Sequence, residues 1–178
     1  MNEIIPAPTL SIVSTLYRSE SCVEQFCRRA ANAARALGRS FEIVLVNDGS
    51  PDRSLAIALQ LQQEMPELVV VDFSRNFGHH PAILAGLSEA RGDEVFLIDS
   101  DLEEEPEWLQ AFADKMRAER ADVVFGQQTS RKGGVGEKVT GTIFYSLFNL
   151  LSTTSLPVNF VTARLMNRAY VDALLQYR

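Results

Sequence analysis

Five short apolar runs, separated by segments with helical periodicity, constrain the fold of this chain more than any other feature. The runs are rich in Val, Ile, Leu and Phe, as expected for strands that are covered on both faces. Strand and helix alternate at a spacing that predicts right-handed crossovers and a mainly parallel sheet in a three-layer α/β/α architecture. The predicted strands are residues 10–15, 41–46, 68–73, 94–98 and 122–126, and the predicted helices between them are residues 21–37, 52–65, 81–90 and 107–117. A further short strand is predicted at 163–167, followed by a last helix from residue 170.

Composition is that of a globular protein with one domain. The 178 residues are 46% hydrophobic and 22% charged, which is enough for a single core. The formal net charge of −6 argues against nucleic acid as a partner, because phosphate backbones select basic surfaces. Cys22 and Cys27 are five residues apart in a helical segment, so they are expected to face different directions and to remain reduced. Reduced thiols and an N-terminus without an apolar leader favour a cytoplasmic location.

Polar residues follow four of the predicted strands. In open α/β sheets, ligands bind beyond the carboxyl ends of the strands. The four clusters are therefore expected to converge on one edge of the sheet and to form a binding site there. They are Thr15-Leu16-Tyr17, Asn47-Asp48-Gly49, Ser74-Arg75-Asn76 and Asp99-Ser100-Asp101.

Asp99 and Asp101 flank one small residue after the fourth strand. Two carboxylates at positions i and i+2 of a non-helical turn can face one divalent ion, and oxygen ligands suit Mg²⁺ or Mn²⁺. Such ions complete their shell with water and substrate phosphates, and a sugar nucleotide carries the required diphosphate. Glu103 extends the acidic edge. The alternative is a solvated acidic loop that caps the helix after Pro106.

The turn after the second strand allows two interpretations of Asp48. Its carboxylate can accept hydrogen bonds from the edge of a nucleobase, while Gly49 permits a tight turn. Asn, Asp, Gly and Ser also form turns and helix N-caps, and Ser50 or Asp52 is expected to cap the next helix. The two interpretations are compatible, so Asp48 is retained as a candidate.

Two pairs of basic side chains lie near this edge in the sequence. Arg131 and Lys132, set among glycines, form either a mobile clamp over a diphosphate or an exposed basic loop. His79 and His80 are interpreted as helix-entry residues near the pocket, because adjacent histidines cannot easily share an ion with distant acids. Arg131 is therefore a candidate catalytic residue and the histidines are not.

Several segments occur in an order and at a spacing that a known family shares. They are Ser11-Ile12-Val13 with Tyr17 and Glu20, Val46-Asn47-Asp48-Gly49-Ser50, Ser74-Arg75-Asn76-Phe77-Gly78, Ala85-Gly86-Leu87, Ala90-Arg91-Gly92-Asp93, and Ile98-Asp99-Ser100-Asp101-Leu102 with Pro106-Glu107. The chain resembles the inverting family 2 glycosyltransferases, which have the Rossmann-like GT-A fold. Within that family it looks closest to the branch that transfers sugars to polyprenyl phosphates such as dolichol phosphate. The resemblance covers about residues 10–110 and extends weakly to residues 164–174.

The resemblance implies a role for each matched residue. The residues that would line the nucleotide pocket are Thr15, Leu16, Tyr17, Glu20, Asp48 and Asp99, with Asp48 on the base and Asp99 near the ribose. Those beside the metal ion would be Asp99, Asp101 and Glu103. The candidate catalytic residues are Asp101, Arg131 and Arg164. The donor would be a UDP- or GDP-linked sugar, transferred with inversion at the anomeric carbon.

Two positions depart from the family pattern. The family often has Asn after the aromatic residue of its first loop, where this chain has Arg18. The branch often reads Gly-Asp-Phe-Arg-Leu where this chain reads Val161-Thr162-Ala163-Arg164-Leu165, so Arg164 is kept and the acid is missing. A hydroxyl acceptor would need a general base from elsewhere, whereas a lipid phosphate is already ionised and would not.

We therefore predict a glycosyltransferase that moves a sugar from a nucleotide donor to a polyprenyl phosphate or a cell-surface glycan, with metal assistance. Residues 1–128 would form the nucleotide-binding half of one catalytic domain, 1–178, and residues 129–178 the start of the acceptor side. The helical pattern at the C-terminal end has no cap, so we expect the natural protein to continue. The aromatic helix around Phe144 and Phe148 either contacts a lipid or membrane surface or packs in the core.

The alternative function is a nucleotide-sugar-binding module without catalytic activity, which the missing acid permits. Phosphoryl transfer by an Asp-x-Asp nucleophile fits poorly, because such enzymes place that motif after their first strand. No Gly-x-Gly-x-x-Gly follows the first strand, which argues against a dinucleotide oxidoreductase. Peripheral binding at the cytoplasmic face of a membrane and homo-oligomerisation are left open.

Overall fold

Six strands and five helices make up the part of the chain that the computed structural model describes, residues 8–127 and 160–176. The strands are β1 (Leu10–Leu16), β2 (Phe41–Asn47), β3 (Leu68–Asp72), β4 (Glu94–Leu97), β5 (Val123–Gln127) and β6 (Phe160–Asn167). The helices are α1 (Val23–Ala36), α2 (Ser54–Glu64), α3 (His79–Glu89), α4 (Trp108–Glu119) and α5 (Arg168–Gln176).

The strands form a single six-stranded sheet in the order β3-β2-β1-β4-β6-β5. β1 pairs in parallel with β2 and β4, and β2 pairs in parallel with β3. β6 is antiparallel to both of its neighbours, β4 and β5. The predicted α/β class with a mainly parallel sheet is thus confirmed, with one antiparallel strand inside it.

β6 is the element on which sequence and structure differ most. The apolar pattern predicts a short strand at residues 163–167, and the structure has a strand of eight residues inserted between β4 and β5. Its register with β4 pairs Leu97 with Arg164 and Glu94 with Asn167. The other predicted elements are confirmed with ends shifted by a few residues. The predicted basic loop at 130–136 and aromatic helix at 138–152 lie outside the described residues.

Alternation of side chains along the strands determines which helices cover each face of the sheet. Leu10, Ile12 and Leu16 of β1 pack into one core cluster with α1, α2 and α4. Val13 of β1 belongs to a second cluster with α3 and α5 on the opposite face. The side chain of Phe96 on β4 is fully buried on the first face, which stabilises the fold by about 2–3 kcal/mol.

The parallel strands end at one edge, as the sequence predicts. Three backbone hydrogen bonds continue the strand pairing past the strand ends and hold the emerging loops side by side. They run from Asp48 N–H to the Leu16 carbonyl, from Phe73 N–H to the Asn47 carbonyl and from Ile98 N–H to the Val13 carbonyl, at 3.0, 3.0 and 3.1 Å. The loops after β1, β2, β3 and β4 therefore start next to one another.

Cys22 and Cys27 are both free thiols, as expected from their spacing. Burial raises the pKa of the Cys27 thiol to about 12. Within residues 8–127 and 160–176, no helix is long and apolar enough to cross a membrane.

Candidate functional site

An open cleft of about 250 Å³ lies at the carboxyl edge of the sheet. The end of β1, the start of α3 and the loop after β4 contribute its walls. The residues that line it are Thr15, Tyr17, Ser19, His79, Asp99, Ser100 and Asp101. Of the predicted nucleotide- and metal-binding set, the structure thus brings Thr15, Tyr17, Asp99 and Asp101 together.

The Asp99-Ser100-Asp101 turn is anchored to β1 through its central residue. Ser100 is 4% exposed, and its hydroxyl donates to the Thr15 carbonyl at 2.9 Å and lies 3.2 Å from Ser19 Oγ. Asp101 Oδ1 accepts the N–H of Glu103 at 3.0 Å. Anchoring of Ser100 leaves the carboxylate of Asp99 part-exposed and that of Asp101 exposed at the cleft.

The chemistry of this pair suits a divalent cation that shares its coordination with a ligand. In the described part of the chain, no group of three or more His, Cys, Asp or Glu side chains is arranged to hold a metal ion. Glu103 therefore does not complete a three-carboxylate site with Asp99 and Asp101, and its predicted metal contact remains a prediction. Two carboxylates suffice for Mg²⁺ or Mn²⁺, because these ions usually keep several waters and take further oxygens from phosphates.

Asp48 holds the loop after β3 against the loop after β2. Its side chain is 3% exposed; Oδ1 accepts the N–H of Phe77 at 2.7 Å and Oδ2 accepts the N–H of Gly78 at 3.0 Å. Gly78 immediately precedes α3, so these bonds determine where α3 begins and place His79 in the cleft. The contact of Asp48 with a nucleobase is not tested by this geometry and remains a prediction.

Leu16 and Glu20 lie apart from the cleft. Leu16 is fully buried in the core, because its place in the β1 alternation turns its side chain toward α1. Glu20 Oε2 accepts the N–H of Arg53 at 3.0 Å, just before α2. The structure therefore gives these two residues structural contacts, and their predicted contact with a nucleoside stays a prediction.

Asp52 ties the loop after β1 to the start of α2, but the expected cap is wrong: the N-cap of α2 is Arg53, and it makes no side-chain capping hydrogen bond. It accepts hydrogen bonds from the hydroxyls of Ser50 (2.6 Å) and Ser54 (2.5 Å) and from the N–H groups of Ser54 (3.0 Å) and Glu20 (3.1 Å). Burial raises the pKa of Asp52, but these hydrogen bonds outweigh burial and hold it well below its usual range. The loop that carries Tyr17 is thereby fixed to α2.

Replacing Asp52 by Asn should lower the free energy of unfolding by about 2 kcal/mol, because bonds to a charged acceptor contribute more than neutral ones. For a chain of this size the thermal midpoint should fall by about 4–8 °C. Because the pKa of Asp52 is lowered in the folded state, the variant's loss of unfolding free energy should have its full size above about pH 4 and should shrink as the pH falls further. Asp114→Asn, on the exposed surface of α4, is the control. Equal melting of the two variants would contradict the role of Asp52.

His79 is a cleft residue that does not belong to the predicted site. Its Nδ1 lies 3.2 Å from Thr15 Oγ1, and its Nε2 lies 3.8 Å from Asp99 Oδ1. Only the tertiary structure brings these three residues together, because 64 residues separate Thr15 from His79. The sequence signal was its position at the start of a helix that follows a strand ending at the ligand-binding edge.

Glu104 is a second residue that the sequence does not single out, since it is one of three consecutive glutamates. It is 7% exposed and its Oε2 has no hydrogen-bond partner. Burial raises the pKa of this carboxyl, and the neighbouring backbone N–H groups of Ala163 and Thr162 counteract the rise in part. Glu104 is therefore a buried acid of the loop after β4 that lies close to residues 162 and 163 of β6.

Of the two predicted arginines, only Arg164 is among the described residues, and it does not line the cleft. Arg164 projects from β6 into a separate cleft with Val123, Phe125 and Tyr170, where its Nε donates to the Thr162 carbonyl at 3.0 Å. Arg131 lies outside the described residues. The catalytic roles of both arginines remain predictions.

The fold and this site define an α/β protein with an open cleft at a sheet edge and a pair of adjacent carboxylates in it. The sequence profile described as "Glycosyl transferase family 2" matches residues 11–175. The chain belongs to glycosyltransferase family 2, a family of inverting enzymes.

Relatives support the same assignment, and a solved structure supports the fold. A Mycobacterium tuberculosis protein named as a glycosyltransferase is 46% identical over 95% of this chain and 49% of its own length. The undecaprenyl-phosphate 4-deoxy-4-formamido-L-arabinose transferase of Pseudomonas paraeruginosa is 36% identical over 97% of this chain and 51% of its own length. Among solved structures, the chain is similar to glucosyl-3-phosphoglycerate synthase of M. tuberculosis, which was solved with Mn²⁺, UDP and phosphoglyceric acid. The two superpose with a TM-score of 0.66 at 20% identity, and the match covers 91% of this chain and 56% of that chain. That likeness confirms the GT-A fold. The chain spans about half the length of the curated relatives it matches.

Proposed function

We propose that this chain binds a nucleoside diphosphate sugar in the cleft at the sheet edge and transfers the sugar to an acceptor. Asp99 and Asp101 would hold a divalent cation, Mg²⁺ or Mn²⁺, against the diphosphate. Thr15 and Tyr17 would contact the nucleoside side of the donor. Family membership supports glycosyl transfer as the reaction, with inversion at the anomeric carbon.

The observation that carries this proposal is the charge of the cleft lining. Among the described residues that line it, two are carboxylates and none is Lys or Arg. A diphosphate would be repelled by Asp99 and Asp101 alone, and a divalent cation between them converts the repulsion into attraction. The lining is thus suited to a metal-bound diphosphate and unsuited to a free one.

The chain's own residues would orient the donor rather than react with it covalently. Ser100, held by the Thr15 carbonyl, keeps the two carboxylates on one side of the turn. Tyr17 is 46% exposed beside them and offers an aromatic face to a base or ribose. When bound, the cation would neutralise the negative charge that develops on the departing nucleoside diphosphate.

A polyprenyl phosphate is the acceptor that the observations support best. The Pseudomonas relative, 36% identical, is named for transfer to undecaprenyl phosphate. The missing acid at residues 161–165 matters least for such an acceptor, since a phosphate is ionised without a general base. This acceptor would bring the enzyme to the cytoplasmic face of a membrane, in the synthesis of cell-envelope polysaccharide. Arg131 would act as a clamp on the diphosphate and Arg164 on the acceptor side.

A thermal-shift screen of UDP-, GDP- and dTDP-linked sugars, with and without Mn²⁺, tests donor binding. A ligand present at a hundred times its dissociation constant stabilises the folded state by about 2.7 kcal/mol. One nucleotide series should therefore raise the thermal midpoint by about 5–10 °C in the presence of Mn²⁺ and far less in its absence.

The matching nucleoside monophosphate is the control, because it lacks the second phosphate that the cation would bridge. A shift of equal size without Mn²⁺, or no shift with any nucleotide, would contradict the proposal. A binding module without activity would give the same shifts, so the screen is followed by an assay of sugar transfer to a polyprenyl phosphate.

A further inference from the structure

His79 bridges the two sides of the cleft. It is the first residue of α3, and its imidazole reaches Thr15 on β1 with one nitrogen and Asp99 beyond β4 with the other. The side chain is 46% exposed, so the core does not require it. His80 is equally part of the first turn and is exposed, but it does not line the cleft.

The surroundings of the imidazole select one tautomer. With the proton on Nδ1, the lone pair of Nε2 would point at the carboxylate of Asp99 and repel it. With the proton on Nε2, the N–H points at Asp99 Oδ1 and the hydroxyl of Thr15 can donate to Nδ1. Both contacts are then favourable, so Thr15 and Asp99 together favour the Nε2–H form.

Such an arrangement orients a carboxylate without neutralising it. The separation of 3.8 Å between Nε2 and Oδ1 exceeds a direct hydrogen bond, and contacts of this kind tighten when a ligand binds. Carboxylates that bind metal ions are themselves hydrogen-bonded by a surrounding group that sets their direction. Asp101 has a comparable support in the N–H of Glu103, and Asp99 has the imidazole of His79 with its Nε2 at 3.8 Å.

We propose that His79 is a positioning residue for Asp99, holding its carboxylate in the direction required to bind the divalent cation, with Thr15 setting the tautomer. This inference rests on the proposed function, because it takes Asp99 to be a cation ligand. It assigns the first residue of α3 to the site and explains why Asp48 must fix the start of that helix.

Binding of Mn²⁺ to the full chain, followed by the electron paramagnetic resonance signal of the free ion, tests the proposal without an activity assay. His79→Ala should weaken Mn²⁺ binding about tenfold, the lower end of the effect of a supporting residue, because the site is open. His79→Gln, whose amide N–H can replace Nε2–H, should recover most of the affinity, whereas His79→Asn is too short and should not. Thr15→Val should weaken binding and Thr15→Ser should retain it.

His80→Ala is the matched control and should bind Mn²⁺ with the affinity of wild type. The thermal midpoints of all His79 variants should equal that of wild type. Wild-type affinity in His79→Ala would overturn the inference and leave the proposed function standing. Equally weak Mn²⁺ binding by His79→Gln and His79→Ala would also overturn the inference, since that result indicates that the imidazole binds the ion directly. If wild type itself fails to bind Mn²⁺ in the presence of UDP or GDP, the proposed function fails and this inference falls with it.

Discussion

Replacing Asp101 by Ala should lower the rate of sugar transfer by at least about a hundredfold and leave the fold intact. The carboxylate is exposed and its one described hydrogen bond is to the N–H of Glu103, so the folded state loses little. The proposed cation would lose one of its two protein carboxylates, and metal stabilisation of developing charge amounts to several kcal/mol, or a factor of about a hundred or more in rate. The measurement is kcat/KM with the full chain as a function of Mn²⁺ concentration.

Glu105→Ala is the control for this variant. Glu105 is an exposed acid of the same loop, outside the cleft lining, and its removal changes the net charge by the same amount. We expect its kcat/KM to stay within about twofold of wild type. Undiminished turnover of Asp101→Ala at all Mn²⁺ concentrations would exclude the proposed metal site, and equal losses in both variants would indicate a general effect of charge.

Replacing Gly49 by Ala should destabilise the fold by about 2–4 kcal/mol and lower the thermal midpoint by about 5–15 °C. Gly49 has a φ of +60°, and an added Cβ would lie 2.4 Å from the carbonyl carbon of Arg75 and the nitrogen of Asn76. Both are backbone atoms, so no side chain can rotate away to relieve the contact. The loops after β2 and β3 must separate, which also stretches the bonds from Asp48 to Phe77 and Gly78.

Gly38→Ala separates the steric effect from the backbone effect. Gly38 has a similar φ of +65°, and nothing lies within 4 Å of an added Cβ. The Gly38→Ala variant should lose only about 1 kcal/mol of unfolding free energy, which is the strain of a residue in the left-handed conformation. Calorimetric midpoints of the two variants give the comparison. If Gly49→Ala melts no lower than Gly38→Ala, the two loops are not in rigid contact.

Several elements of the fold could be predicted because the signals are local. The apolar runs of β1, β2 and β4 and the polar residues that follow them are adjacent in the chain, so the sequence alone places Asp99 and Asp101 after a buried strand. The position of Leu16 in the core could also have been inferred from the alternation along β1. Its assignment to the nucleoside pocket followed the resemblance and not that alternation.

Other features of the site could not be predicted, because they depend on contacts between distant segments. Arg53 N–H donates to Glu20 across 33 positions, and Asp48 binds the backbone 29 and 30 positions away. No local sequence pattern predicts which residues form these hydrogen bonds or how far apart in the chain they lie. β6 is a similar case, since its apolar residues predict a strand but not its insertion between β4 and β5.

The sequence by itself determined the α/β class, the family and the acidic turn Asp99-Ser100-Asp101 at the carboxyl edge of the sheet, because periodicity and short motifs are properties of neighbouring residues. Only the tertiary structure decided which side chains surround that turn. It placed His79 beside Asp99, turned Leu16 into the core, set Arg164 in a separate cleft and engaged Glu20 at the start of α2. The physical reason is that each of these outcomes depends on how loops from different strands pack at one edge, and that packing is fixed by backbone hydrogen bonds and close contacts such as that of Gly49.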